Sequence, residues 1–154
     1  MSKFSLNKIL VIGLTSLITQ LAWAVPERLS EISIDSVHVD GELRHRPCPK
    51  GFQGDCPAGT PSSCLLVIGS SLSGSITITN HSGITALNIT TDTNFLSTLD
   101  VYQSPESGIP SLAPQASAIL NFYASGIPVN PPITIQVKGS NTIAACFSLQ
   151  VSPF

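Results

Sequence analysis

Charged side chains are scarce in this chain of 154 residues. Lys, Arg, Asp and Glu make up 10% of it, and the formal net charge at pH 7 is −2. A nucleic-acid-binding protein typically carries a basic stripe and a high isoelectric point. The low and slightly acidic charge therefore argues against nucleic acid as a partner.

Tryptophan and catalytic motifs are also nearly missing. The one tryptophan, Trp23, lies in the N-terminal apolar segment, so few aromatic rings remain for a sugar-binding platform, with Tyr123 as an exposed exception. The stretch Gly69–Ser73 ends in serine where a G-x-S-x-G nucleophile elbow needs glycine. His38 and His81 belong to no recognisable motif, although a catalytic triad can be assembled from distant positions. The sequence favours a protein without enzymatic activity.

Long apolar runs are confined to the N-terminus. A short positive region there precedes 13 mostly apolar residues and a small-x-small site, carried by Lys3, Lys8, Ile9–Leu21 and Ala22–Ala24. An ordinary transmembrane helix needs about 20 apolar residues. We therefore predict that residues 1–24 are a secretory signal peptide cut between Ala24 and Val25. The mature protein is expected to be secreted, periplasmic or extracellular, with no transmembrane segment.

The predicted mature chain, residues 25–154, has the length of one domain. It keeps five Lys and Arg, the seven of the full chain less the two in the signal peptide, against nine Asp and Glu, a net charge near −4. Ten of these 14 charged residues precede Cys64. We divide the domain into an N-terminal strand segment (25–43), a loop rich in Cys, Pro and Gly (44–63) and a β-sandwich core (64–154).

Apolar and polar residues alternate along most of this domain. A period of two with many β-branched residues predicts half-buried strands, and Gly, Pro, Asn and Ser mark turns between them. In Leu87–Thr91 the alternation places Leu87 and Ile89 on one face. The pattern predicts an all-β fold, an immunoglobulin-like antiparallel β-sandwich of seven or eight strands, with a small closed barrel as the alternative. The alternating windows are Ile32–Val39, Ser75–Thr79, Leu87–Thr91, Ala116–Ala124, Ile133–Lys138 and Cys146–Val151, and a seventh window, the continuous apolar run Cys64–Gly69, predicts a more buried strand.

Two of these segments carry a family resemblance. Gly74–Gly83, "GSITITNHSG", and Leu112–Phe122, "LAPQASAILNF", are similar to the xVTVTNxG and LxPGxSxxLxF strands of immunoglobulin-like modules in bacterial secreted and surface proteins, the CARDB-like group. Gln115 stands where glycine is usual. The resemblance covers about Cys64–Val151 and implies a structural or adhesive role.

The four cysteines are expected to form two disulfides, because exported thiols tend to pair. Cys48, Cys56 and Cys64 are separated by seven residues each, whereas structural zinc sites use C-x2–4-C pairs. No metal or cofactor is therefore expected. Four cysteines allow three pairings. We prefer Cys48–Cys56 with Cys64–Cys146, since the strands that begin at Cys64 and Cys146 can be neighbours in immunoglobulin-like topology, and the other two pairings stay open.

A basic cluster stands out within the loop. Arginine offers a planar fork of donors that suits an anionic group such as a lipid phosphate. Membrane-binding patches typically contain at least four clustered Lys and Arg residues, and this cluster contains three. The alternative interpretation is therefore a solvated loop whose positive charge is balanced by nearby acidic residues. Its members are Arg44, His45, Arg46 and Lys50.

These observations together favour a secreted, non-enzymatic binding protein of a Gram-negative bacterium. The expected partner is a surface, a host protein or an anionic lipid headgroup, because functional residues in such domains tend to lie on loops held by a rigid scaffold. A purely structural surface module and a secreted hydrolase with a distributed active site are the alternatives.

Overall fold

The computed structural model of the protein describes residues 28–48, 64–69 and 72–152. The predicted signal peptide, the cleavage position between Ala24 and Val25, and the loop residues Lys50 and Cys56 lie outside the described residues. Across the described ranges, no helix has both the length and the apolar character needed to cross a membrane.

The described chain is almost entirely β-structure, in two sheets. Sheet A has the strand order β10-β1-β4-β8-β6, with β2 also paired to β1, and sheet B has the order β3-β11-β9-β5-β7. One short helix, α1 (Thr93–Thr98), precedes β6. The strands are β1 Ser30–Val39, β2 Arg46–Pro47, β3 Leu65–Ile68, β4 Ser73–Asn80, β5 Ala86–Thr91, β6 Val101–Ser104, β7 Ile109–Leu112, β8 Ser117–Ala124, β9 Val129–Lys138, β10 Thr142–Ile143 and β11 Ala145–Val151.

The predicted all-β sandwich is confirmed, and each of the seven sequence windows coincides with a strand. The predicted strand count of seven or eight is too low, because the described residues form eleven strands. The additional strands, β2, β6, β7 and β10, have two to four residues each, too few to show an alternating pattern. The pairing is also not purely antiparallel, since β1–β10 and β3–β11 are parallel.

The core lies between the two sheets. The Phe122 ring on β8 of sheet A packs against the Phe147 ring on β11 of sheet B, with their centroids 5.3 Å apart. Both side chains are fully buried, as are the inward-facing residues Ile76 and Ile78 of β4. The alternating pattern therefore identified the core face correctly on these strands.

Strand β5 departs from the predicted alternation. Ile89 is buried, but Leu87, predicted on the same face, is 42% exposed. Asn88 between them has a φ of 52°, in the left-handed region, which is incompatible with a regular strand. The local backbone turns Leu87 outward, and Ala86 takes its place in the core.

Candidate functional site

The loop between β1 and β2, residues 40–45, projects from one end of sheet A. It is held at both ends, because Val37 pairs with Arg46 and Ser36 pairs with Pro47 across the hairpin. The Cys48 N–H just beyond donates to the Asp35 carbonyl at 2.7 Å. The β1–β2 loop is therefore an exposed turn on a fixed base.

Three members of the predicted basic cluster meet on this hairpin. Arg44, His45 and Arg46 are all exposed, but Arg46 forms a 2.6 Å ion pair with Glu42. Arg44, in contrast, forms no ion pair with any described residue, so its charge is not offset. The neighbouring Leu43 side chain is completely exposed, at 101%.

The His45 side chain, unlike those of the two arginines, packs against another ring. Its ring stacks on the ring of His38, with centroids 4.4 Å apart and planes inclined by 25°. His38 lies on the outer face of β1, opposite Ser75 of β4, and its Nδ1 atom is buried without a hydrogen-bond partner among the described residues. His38 and His45 therefore help to pack the loop against the sheet.

The preferred disulfide pairing is wrong, because Cys48 is bonded to Cys64, with a Cα–Cα distance of 4.8 Å. Strands β3 and β11 are neighbours as expected, with Leu65 opposite Ser148. In this register, however, Cys64 shares the inward face with Leu66, whereas Cys146 shares the outward face with Ser148. Side chains on opposite faces of a sheet cannot be bridged.

Cys146 is also disulfide-bonded. None of the cysteines in the described part of the chain is a free thiol. The expectation that the cysteines pair is therefore confirmed for Cys48, Cys64 and Cys146, although the preferred partners were not.

A polar cluster surrounds His81 on the outer face of sheet A. Its members are Ser33, Asp35, Thr79, His81 and Ser117. The Ser33 Oγ atom lies 2.6 Å from His81 Nε2 and donates to Asp35 Oδ1 at 2.6 Å. Thr79 donates to the other carboxylate oxygen, and Ser117 Oγ lies 2.6 Å from Thr79 Oγ1.

The direction of these hydrogen bonds follows from proton counting. A hydroxyl has one proton, and those of Ser33 and Thr79 both point to Asp35. His81 Nε2–H must then donate to Ser33, and Ser117 must donate to Thr79. Burial raises the pKa of Asp35, but the hydrogen bonds from Ser33 and Thr79 and the nearby His81 outweigh it, so the pKa lies below the ordinary value of 3.8.

This arrangement brings together a serine, a histidine and a carboxylate without forming a catalytic relay. In a triad, the serine and the carboxylate bond to different ring nitrogens of the histidine. Here Ser33 Oγ and Asp35 Oδ1 both face Nε2 of His81, the latter at 3.6 Å. The Ser33 proton also goes to Asp35 rather than to the imidazole. Sequence reasoning missed the cluster because only the β1–β4 and β4–β8 pairings bring these positions together.

Two tyrosines lie side by side on the same outer face. Tyr102 of edge strand β6 pairs directly with Tyr123 of β8, and their exposed fractions are 58% and 48%. Ile119, four residues before Tyr123 on the same face, is 51% exposed. The sequence had indicated an exposed Tyr123, but Tyr102 could be added only from the strand register.

A metal centre is not apparent in the ranges that the structure describes. No three His, Cys, Asp or Glu side chains there are grouped closely enough to hold a metal ion.

Comparison with known proteins does not assign the chain to a family. The chain matches no protein-family model and no curated protein.

Proposed function

We propose that the chain is an exported, non-enzymatic binding protein with an immunoglobulin-like sandwich, and that its β1–β2 loop contacts an acidic surface partner. The observation that carries this proposal is that Leu43 and Arg44 are exposed on a loop whose base is fixed to the sheet. Leu43 is fully exposed, while the loop base is tied by β1–β2 pairing and by the Cys48–Cys64 bridge. A pre-organised loop loses little conformational entropy on binding.

The strand order supports the immunoglobulin-like class. Four strands of sheet A follow the order β1-β4-β8-β6 and three of sheet B follow β11-β9-β5. These orders resemble the ABED and GFC sheets of immunoglobulin domains. The resemblance to bacterial secreted modules and the disulfide bonds both support export from a Gram-negative cell.

The test uses the mature protein, residues 25–154, recovered from the periplasm or culture medium. N-terminal sequencing should begin at Val25, and an intact Met1 in a cytosolic fraction would contradict export. Binding is then screened against a protein array and against vesicles with and without anionic phosphatidylglycerol. Changing Arg44, Arg46 and Lys50 together to alanine should abolish binding, and added salt should weaken it.

Single substitutions test the geometry of the loop. Arg44→Ala should weaken binding more than Arg46→Ala, because the Arg46 charge is offset by Glu42. Binding that survives the triple change would show that the loop is not the contact surface. Absence of any binding would favour a purely structural module, and hydrolase activity lost on changing His38 or His81 would place the protein among enzymes.

A further inference from the structure

We propose that the outer face of strands β4, β6 and β8 binds a neutral carbohydrate chain, with the rings of Tyr102 and Tyr123 as its stacking platform. This face adjoins the β1–β2 loop at Asp40 but shares no residue with the contact assigned to Leu43 and Arg44, and the inference does not depend on that assignment. We call it the tyrosine face, defined by Tyr102, Ser104, Tyr123, Asn121, Ile119 and Thr77.

The two tyrosines occupy neighbouring exposed positions on the outer face, and we call this pair the aromatic strip. Directly paired residues of antiparallel strands have Cβ atoms about 5 Å apart, and Tyr102 pairs directly with Tyr123. Each side chain keeps about half of its surface in solvent. An aromatic face is electron-rich, so it attracts the weakly positive C–H groups on the flat face of a sugar ring. The strip therefore offers stacking contacts to successive rings.

Short polar side chains border the strip. Asn121 of β8 pairs with Ser104 of β6 in the next outward-facing row, and Thr77 of β4 pairs with Ile119 in the row after that. An amide both donates and accepts hydrogen bonds, as does a hydroxyl. These groups match the hydroxyls at the edge of a sugar ring, while Ile119 adds an apolar contact.

The charge of the face selects a neutral ligand. The outward positions of β4, β6 and β8 hold Ser, Thr, Asn, Ile and Tyr and no charged residue. Carboxylates stand at its margins, where Asp40 accepts a hydrogen bond from Ser73 and Asp35 accepts one from Thr79. They would repel an acidic polysaccharide but can accept hydrogen bonds from sugar hydroxyls.

A protein partner fits this face less well. A stable protein–protein interface buries about 800 Å² on each side around an apolar core. Ile119 is the one exposed aliphatic side chain among the residues that define the face. The tyrosine rings with their hydroxyl groups, and the short polar side chains beside them, are closer to the composition of a glycan-binding site than to that of a protein interface.

The test is affinity electrophoresis of the mature protein in gels containing neutral polysaccharides, namely dextran, laminarin, xyloglucan and galactomannan, with alginate as an acidic comparison. We expect retardation by at least one neutral polysaccharide and none by alginate. Tyr102→Ala and Tyr123→Ala should each reduce the association constant about tenfold. Tyr102→Phe should retain most of the binding, because stacking needs the ring. Leu87→Ala, an exposed side chain on sheet B, is the matched control and should bind like the wild type.

Three results would overturn the proposal. The first is that none of the four neutral polysaccharides retards the protein. The second is that binding persists in the Tyr102→Ala, Tyr123→Ala double variant while circular dichroism shows an intact fold. The third is that sedimentation velocity finds a dimer lost on Tyr123→Ala, which would assign the face to self-association. The triple change at Arg44, Arg46 and Lys50 should leave glycan binding intact, so failure of the loop proposal is distinguishable from failure of this one.

Discussion

Cys48 and Cys64 join the two sheets at one edge of the sandwich. Cys48 directly follows β2 on the sheet A side, Cys64 directly precedes β3 of sheet B, and their Cα atoms are 4.8 Å apart. The Cys64 carbonyl also accepts a hydrogen bond from the Ser148 N–H at 2.8 Å. The bridge therefore fixes the base of the β1–β2 loop against the strand that lies beside β11.

Removing this bridge should lower stability measurably. The two cysteines are 16 residues apart in sequence. In the chain-entropy model, a disulfide that closes a loop of this length stabilises the folded protein by about 3 kcal/mol. We expect Cys48→Ser with Cys64→Ser to reduce the free energy of unfolding by about that amount in urea titrations. Non-reducing peptide mapping should recover a Cys48–Cys64 fragment, and a Cys64–Cys146 fragment would disprove the observed pairing.

Asn80 is a buried polar residue that ties the ends of several strands. Its Nδ2 donates to the carbonyls of Ile84 at 2.8 Å and Leu112 at 3.0 Å, and its Oδ1 accepts from Ser30 Oγ at 2.9 Å. Asn80→Ala removes all of these hydrogen bonds at once, so we expect a loss above about 2 kcal/mol in unfolding free energy. The control, Asn121→Ala on the outer face, should change it by less than about 0.5 kcal/mol. Similar losses for both variants would refute the assigned role.

Asp35 should make the free energy of unfolding depend on pH in the acid range. Because its pKa is lower in the folded protein than the ordinary 3.8, the unfolded chain binds its proton more readily. The resulting stabilisation is complete above the ordinary value and is lost as the pH falls through the folded-state pKa. Urea titrations across this range should show a smaller acid dependence for Asp35→Asn than for the wild type. Equal profiles for the two proteins would contradict the prediction.

Gly108, between β6 and β7, has little room for a side chain. Its φ is +73°, and an added Cβ would lie 2.2 Å from the Ile89 carbonyl oxygen, so the backbone would have to shift. Gly41 also has a positive φ, +92°, but an added Cβ there meets nothing within 4 Å. We expect Gly41→Ala to cost about 1 kcal/mol through backbone strain alone, and Gly108→Ala to cost clearly more. Equal costs in urea unfolding would show that the close contact is relieved without penalty.

The sequence by itself determined the fold class and most of the core. Alternation is a local property of a strand, so Ile76 and Ile78 could be assigned to the inner face without knowledge of their neighbours. The prediction failed at Leu87, because the left-handed backbone of Asn88 leaves no mark in the alternating pattern. The shortest strands were missed for a related reason, since two to four residues do not establish a period.

The tertiary structure alone decided what the strands bring together. Ser33 and His81 are 48 residues apart in sequence and meet only through the β1–β4 register. Tyr102 and Tyr123 likewise meet only because β6 pairs with β8 in one register. The choice between Cys64–Cys146 and Cys48–Cys64 also depends on register, since a shift of one residue reverses the face of every side chain in a strand. Register is set by non-local packing, which the order of residues along the chain does not display.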